Sequence, residues 1–283
     1  MGISSFLNII TFILSTAFYY LVLKPTLSYD VYNNKEEYNS YSNRYYKSLG
    51  IYLILVIIVQ FIVNTTIISN KCGGDLKTSI GTSAIFTFIP WLLIFGVTMV
   101  TLVINPGFKT AFSDVVGYFY VSNSANTLLT DLLIDKNVQQ QMDQTSASSA
   151  EKEDLQNAAD AIIKICGNTS ILINQIVPTN FNNYWSILNP LMKIQFQTDN
   201  PESKYKKSQL FDLVVLRDTI GEMMWYVYTG VLLTSIVQMK ITTVPCYQSP
   251  QQMEKNYNSF LEEENKTQAK IKAAESTVYT ITD

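Results

Sequence analysis

Residues Ser83–Tyr120 read SAIFTFIPWLLIFGVTMVTLVINPGFKTAFSDVVGYFY, and the fold turns on them. From Ala84 to Ile104 the run carries no charge. At 1.5 Å per residue a helix of about twenty residues crosses the roughly 30 Å hydrocarbon core of a bilayer. Pro90 lies inside the run. A proline breaks a water-exposed helix, but in a bilayer neighbouring helices satisfy the freed carbonyl, so a kink is expected. Asn105-Pro106-Gly107 ends the span. Beyond it Phe108, Phe112, Val115, Val116 and Phe119 recur at helical spacing around Lys109 and Asp114. That pattern predicts an amphipathic helix along the membrane surface.

Outward from this stretch the same contrast repeats. Hydrophobic residues make up 47% of the chain and charged residues 15%, against about a quarter in a soluble domain. The charges avoid four windows. The expected fold is mainly α: a multi-span protein of about four transmembrane helices, with a small extramembrane helical domain between spans three and four. The spans are 1–23, 49–69 and 84–105, with the fourth inside a long helix over 208–241. Between them lie a polar Tyr/Asn-rich loop, 24–48, and a short loop, 70–83. The surface helix occupies 106–134, the extramembrane domain 135–207, and a polar tail 242–283. The first span reads as an uncleaved anchor, since no positive residue precedes it and no small-x-small site follows. Gly2 invites myristoylation, but Phe6 stands where that motif needs Ser or Thr. Tyr29, Tyr32, Tyr38, Tyr41, Tyr45 and Tyr46 in the first loop fit a headgroup-level aromatic belt or a partner surface, and both readings stay open. Gln60 and Asn64 interrupt the second span and are expected to hydrogen-bond between helices. In the domain, Gln139–Ser149 reads as a linker, and Ser148-x-x-Glu151 as the capping box of a helix through Leu155, Ala158, Ala159, Ile162 and Ile163.

Pro90-Trp91, Phe95-Gly96, Pro106-Gly107, Phe112-Ser113 and Gly117-Tyr118, with Trp225-Tyr226, Thr229-Gly230 and Cys246 further on, carry a resemblance. In that order and spacing they resemble the membrane-spanning minor capsid, or inner-membrane virion, proteins of nucleocytoplasmic large DNA viruses. Phe108 stands where the family pattern has Trp, and Asp114 where it has Asn. The resemblance implies a structural protein in a virion inner membrane assembled on host-derived membrane, beneath the capsid. It also implies that the motif residues Pro90, Trp91, Phe95, Gly96, Pro106, Gly107, Phe112, Ser113, Gly117, Tyr118, Trp225, Thr229 and Gly230 shape the protein. The expected partners are the lipid bilayer and, from the resemblance, major or minor capsid proteins met through the loop domain. Self-association stays open.

Four spans put both termini on one side. Cys72 and Cys246 then share that side, either bridged, tying the second span to the fourth, or as two separate thiols, with Cys166 on the other. Four Lys/Arg in the first loop (Lys24, Lys35, Arg44, Lys47) against Lys71 and Lys77 opposite place the loop and domain on the cytosolic side. The sequon at Asn265 would be lumenal and the one at Asn168 cytosolic, while Asn64-Thr65-Thr66 lies inside a span.

No enzyme is expected. The chain has no His, so Ser/His, Cys/His and His-containing metal sets are absent, and no Gly-rich phosphate loop or cofactor motif occurs. Carboxylate pairs such as Asp212/Glu222 and Glu151/Asp154 read as solvated helix faces. A net charge of −3 gives no basic patch for nucleic acid. A channel or transporter is the second hypothesis. It is disfavoured because no ionisable residue sits inside a span, Glu222 being at an edge.

Overall fold

The computed structural model describes residues 4–72, 76–133, 169–246 and 250–275. The capping box at Ser148–Glu151, the helix through Ile163, Cys166 and the Asn168 sequon lie outside them. Among the described residues the chain is mainly α, with no strand beyond an isolated bridge between Leu133 and Met192.

Among the described residues, four helices are long and apolar enough to cross a membrane: Phe6–Leu23, Lys35–Lys71, Ser79–Ile104 and Pro201–Thr243. Their outward faces are apolar: Ile51, Ile54, Ile58 and Ile62 on the second, Leu92, Leu93 and Val100 on the third, Leu232 and Met239 on the fourth are all exposed. Their inward faces carry amides and hydroxyls. Asn8 Nδ2 donates to Asn64 Oδ1 (3.0 Å) and Gln238 Oε1 (2.8 Å), Asn64 Nδ2 to Thr87 Oγ1 (2.8 Å), and Gln60 Nε2 to the Asn8 carbonyl (3.0 Å). All four spans contribute to this ladder. A bundle with polar groups inside and Ile and Leu outside is built for an apolar solvent, where an interhelical hydrogen bond contributes about 0.6–2 kcal/mol.

Pro90 does more than kink the third span. Having no N–H, it cannot bond the Phe86 carbonyl one turn back, and the helix widens into a π-helical segment, Trp91–Gly96, before resuming at Val97–Ile104. The wide turn aims Trp91 and Phe95 inward. Both are fully buried against Phe12 and Tyr52.

Two regions depart from the sequence expectation. The 24–48 loop is largely helical, with helices at Tyr29–Asn33 and from Lys35 without a break into the second span. Asn34 caps the longer one: its Oδ1 accepts from the Glu36 and Glu37 N–H groups, and Glu37 answers by accepting from Asn34 Nδ2. The tyrosines then form one stripe. Tyr38 and Tyr41, and Tyr41 and Tyr45, stack with ring centroids 6.1 Å apart. The second departure is 106–134. After a 3-10 turn, Pro106–Lys109, the chain forms Thr110–Phe112, a π-helical segment Ser113–Gly117, and a helix Tyr118–Leu132. This run does not lie across the bundle. Its partners on the long helix Pro201–Thr243 descend in number as its own rise: Phe112 meets Trp225, Ser113 meets Gly221, Gly117 meets Arg217 and Asp131 meets Lys206. The two therefore run antiparallel, away from the membrane.

The long helix begins at Pro201 behind an Asn200 cap, seven residues earlier than expected, and runs 43 residues. At 1.5 Å per residue that is about 65 Å, roughly twice the hydrocarbon thickness. Its membrane-distal half is the wall of the extramembrane core. Leu210, Phe211 and Val214 pack there against Leu129, Ile173, Phe181 and Trp185, with Tyr29 and Tyr32 joining from the first connection. The described part of the 135–207 segment, residues 169–207, is thus no separate core. It shares one with the long helix and with Tyr118–Leu132, as expected of a segment near the lower size limit for independent folding. In the tail, one exposed helix spans Pro250–Glu275 and carries Asn265.

Candidate functional site

Where the bundle meets the arm, that is, the membrane-distal half of the long helix with the extramembrane core packed on it, one carboxylate gathers all four spans. Glu222, on the long helix, is buried (1% exposed). Lys24, just past the first span, places Nζ 2.9 Å from Oε1, and Lys109, just past the third, places Nζ 3.0 Å from Oε2. Tyr45 on the second helix donates its hydroxyl to Oε2 at 2.7 Å, and Tyr20 donates to Oε1 at 3.2 Å. Lys109 also pairs with Asp218 Oδ2 at 2.9 Å. Burial pulls the Lys109 ammonium down, but the Glu222 and Asp218 carboxylates outweigh it, and its pKa stands above the ordinary lysine value. Two cations face two anions, each hydrogen-bonded. Breaking such a buried set by removing one partner costs about 3–5 kcal/mol, so the cluster acts as a clasp. Glu222 is accordingly not part of a solvated face with Asp212, which alone of the pair is exposed.

The motif residues mark where helices touch. A Cβ on Gly117 would lie 2.6 Å from the Arg217 backbone oxygen, and one on Gly230 would lie 1.9 Å from the Phe12 ring. Only a residue without a side chain allows these approaches. Ser113 is buried beside Gly221, where a Cβ would come within 2.8 Å of the Lys109 carbonyl. Trp225 Nε1 donates to the Phe108 carbonyl at 2.7 Å and takes the Phe112 ring edge-on at 5.2 Å. Trp91, Phe95 and Gly96 pack in the bundle and Thr229 is buried, while Tyr118 flanks the extramembrane core. Gly107 has nothing within 4 Å of its Cβ position, so with Pro106 it serves the turn alone.

At the opposite end Cys72 and Cys246 are joined, with Cα atoms 5.2 Å apart. Lys71 Nζ donates to the Thr242 and Val244 carbonyls, both at 2.7 Å, capping the end of the long helix.

Sequence reading missed Lys24, Lys109, Asp218, Arg217 and Gly221, and it misjudged Glu222. Arg217 is wholly buried. It donates to the Ile173 and Ile176 carbonyls and to Asn174 Oδ1, so it caps the helix Thr169–Gln175 from below. The positions of Lys24 and Lys109, each just past a span, were the available signal. Among the described residues no group of three or more His, Cys, Asp or Glu could hold a metal ion. Comparison with known protein families, curated proteins and solved structures finds no match to this chain.

Proposed function

We propose that the protein is a structural membrane anchor, a minor capsid component that links a virion inner membrane to the overlying shell. One observation carries the anchor reading: a single helix of 43 residues belongs both to the four-span bundle and to the extramembrane core. A force on the arm reaches the membrane without crossing a hinge. The buried clasp at Glu222, the glycine joints at 117, 221 and 230 and the Cys72–Cys246 bridge all stiffen that connection. Of the motif residues that carry the family resemblance, Ser113, Gly117, Gly230 and Cys246 fall on these joints, which supports a mechanical role for them. A capsid shell as the partner follows from that resemblance.

A channel remains the second reading, favoured by the amide ladder and by Tyr226, whose buried hydroxyl has no partner among the described residues. Against it, fully buried Phe12, Tyr52, Trp91 and Phe95 fill the bundle beside them. Peptide counting by mass spectrometry on purified particles, before and after carbonate and detergent, separates the two. A linker is abundant in particles, resists carbonate and leaves the shell only with detergent. Absence from particles, with ion flux through reconstituted protein, favours the channel.

A further inference from the structure

Beside the clasp lies a cleft of about 830 Å³, within the size range of small-molecule sites. Its floor is the membrane end of the spans, Tyr20 from the first and Leu102 and Val103 from the third, and its roof is Val177–Thr179 of the arm. The cleft therefore sits at the boundary between apolar belt and arm. One wall is the stacked Tyr38, Tyr41 and Tyr45. A second wall, meeting the first where Tyr45 donates to Glu222, is the long helix, bringing Asp212, Asp218 and Glu222.

The charge in this cleft has a sign. Lys24 and Lys109 are the cations of its lining, and both are already paired with Glu222 or Asp218. Asp212 is the third carboxylate, exposed and outside the clasp, which leaves the lining one negative charge in excess. Tyrosine rings here already take a cation: the Lys24 ammonium stands 4.9 Å from the Tyr20 ring centre and 5.9 Å from that of Tyr45, while among the described residues no cation stands over Tyr38 or Tyr41. A cation suited to aromatic faces beside a carboxylate, with few hydrogen bonds to make, is a quaternary ammonium.

We propose that this cleft holds the headgroup of a choline phospholipid, its trimethylammonium between Tyr38, Tyr41 and Asp212, and its glycerol end against Leu102 and Val103. The inference rests on the membrane-anchor reading. It makes the arm's root a lipid-selective seat, so that the protein would settle in choline-rich regions of a membrane.

The test is native mass spectrometry of the full chain released from nanodiscs of equal phosphatidylcholine, phosphatidylethanolamine and phosphatidylglycerol. Retention of phosphatidylcholine about tenfold above the other two is expected, with displacement by soluble phosphocholine. Tyr41→Ala and Asp212→Asn each reduce that preference several-fold, whereas Ile58→Ala, on the outward apolar face, leaves it unchanged. Far-UV circular dichroism confirms that the variants fold. Equal retention of the three lipids, retention of phosphatidylethanolamine as strong as that of phosphatidylcholine, or an unchanged preference in both cleft variants overturns the proposal. Carbonate extraction separates the two failures. Protein that stays in the membrane without lipid preference refutes only the seat, and protein that carbonate releases refutes the anchor itself.

Discussion

Replacing Gly117 by alanine tests the close approach of Ser113–Gly117 to the long helix. The added Cβ would lie 2.6 Å from the Arg217 oxygen and 2.9 Å from Arg217 Cγ, against ordinary contacts beginning at 3.4 Å. The two helices must therefore part by about 0.8 Å at this point. A backbone carbonyl inside a helix cannot swing aside as a side-chain tip can. Overpacking of this kind costs about 1–3 kcal/mol, and separation also draws Arg217 from the Ile173 and Ile176 carbonyls that it caps. For a chain of this size the melting temperature falls by roughly 2–5 °C. The control is Gly50→Ala, in the second helix with nothing within 4 Å of its Cβ position, which removes helix-interior glycine and stabilises by up to about 1 kcal/mol. The assay is thermal unfolding in detergent micelles, followed by circular dichroism, with hydrogen exchange over Thr169–Ile176. Opposite signs for the two variants are expected, with faster exchange only in Gly117→Ala. Equal shifts in one direction would refute the close approach.

Three further outcomes follow from the geometry. Asn64→Leu removes a donor to Thr87 and an acceptor for Asn8, and should destabilise the bundle by about 0.6–2 kcal/mol in an SDS titration, while Ile62→Leu on the outer face does not. Cys246→Ser opens the bridge across 174 residues of sequence; the mobility difference between reduced and unreduced gels should vanish and stability fall by about 2–5 kcal/mol. Asp131, outside the spans, has its carboxyl held below the usual value by the hydrogen bond from Lys206. Its support for the fold is present above its unfolded pKa, near 4, and is lost as pH falls through the lower folded value, so Asp131→Asn should flatten the acid limb of arm unfolding monitored by Trp185 fluorescence. An unchanged acid limb would contradict this pairing.

The spans were legible because a charge-free run of about twenty residues, in a chain this poor in charge, suits a bilayer crossing and little else. The 24–48 segment was misread because its Tyr and Asn content resembles a loop. Yet Asn34-Lys35-Glu36-Glu37 is a helix start, and Tyr38, Tyr41 and Tyr45 follow at helical spacing. The apolar face at Phe108–Phe119 was real but its direction was not readable. Val115 and Phe119 are exposed as an amphipathic pattern demands, while the close approaches at Gly117 and Ser113 fix the helix along its partner. The clasp escaped because Lys24 and Glu222 lie 198 positions apart, and each alone resembles a solvated span end. Nothing local in either says that burial and pairing await it.

One unhinged helix joins membrane to arm, and a distance along it tests that continuity most directly. Spin labels at Tyr205 and Met239, both exposed and 34 residues apart, should give a narrow distribution centred at about 51 Å in nanodiscs by electron–electron double resonance. A broad or markedly shorter distribution would place a joint at the membrane boundary, and the rigid anchor would fall with it.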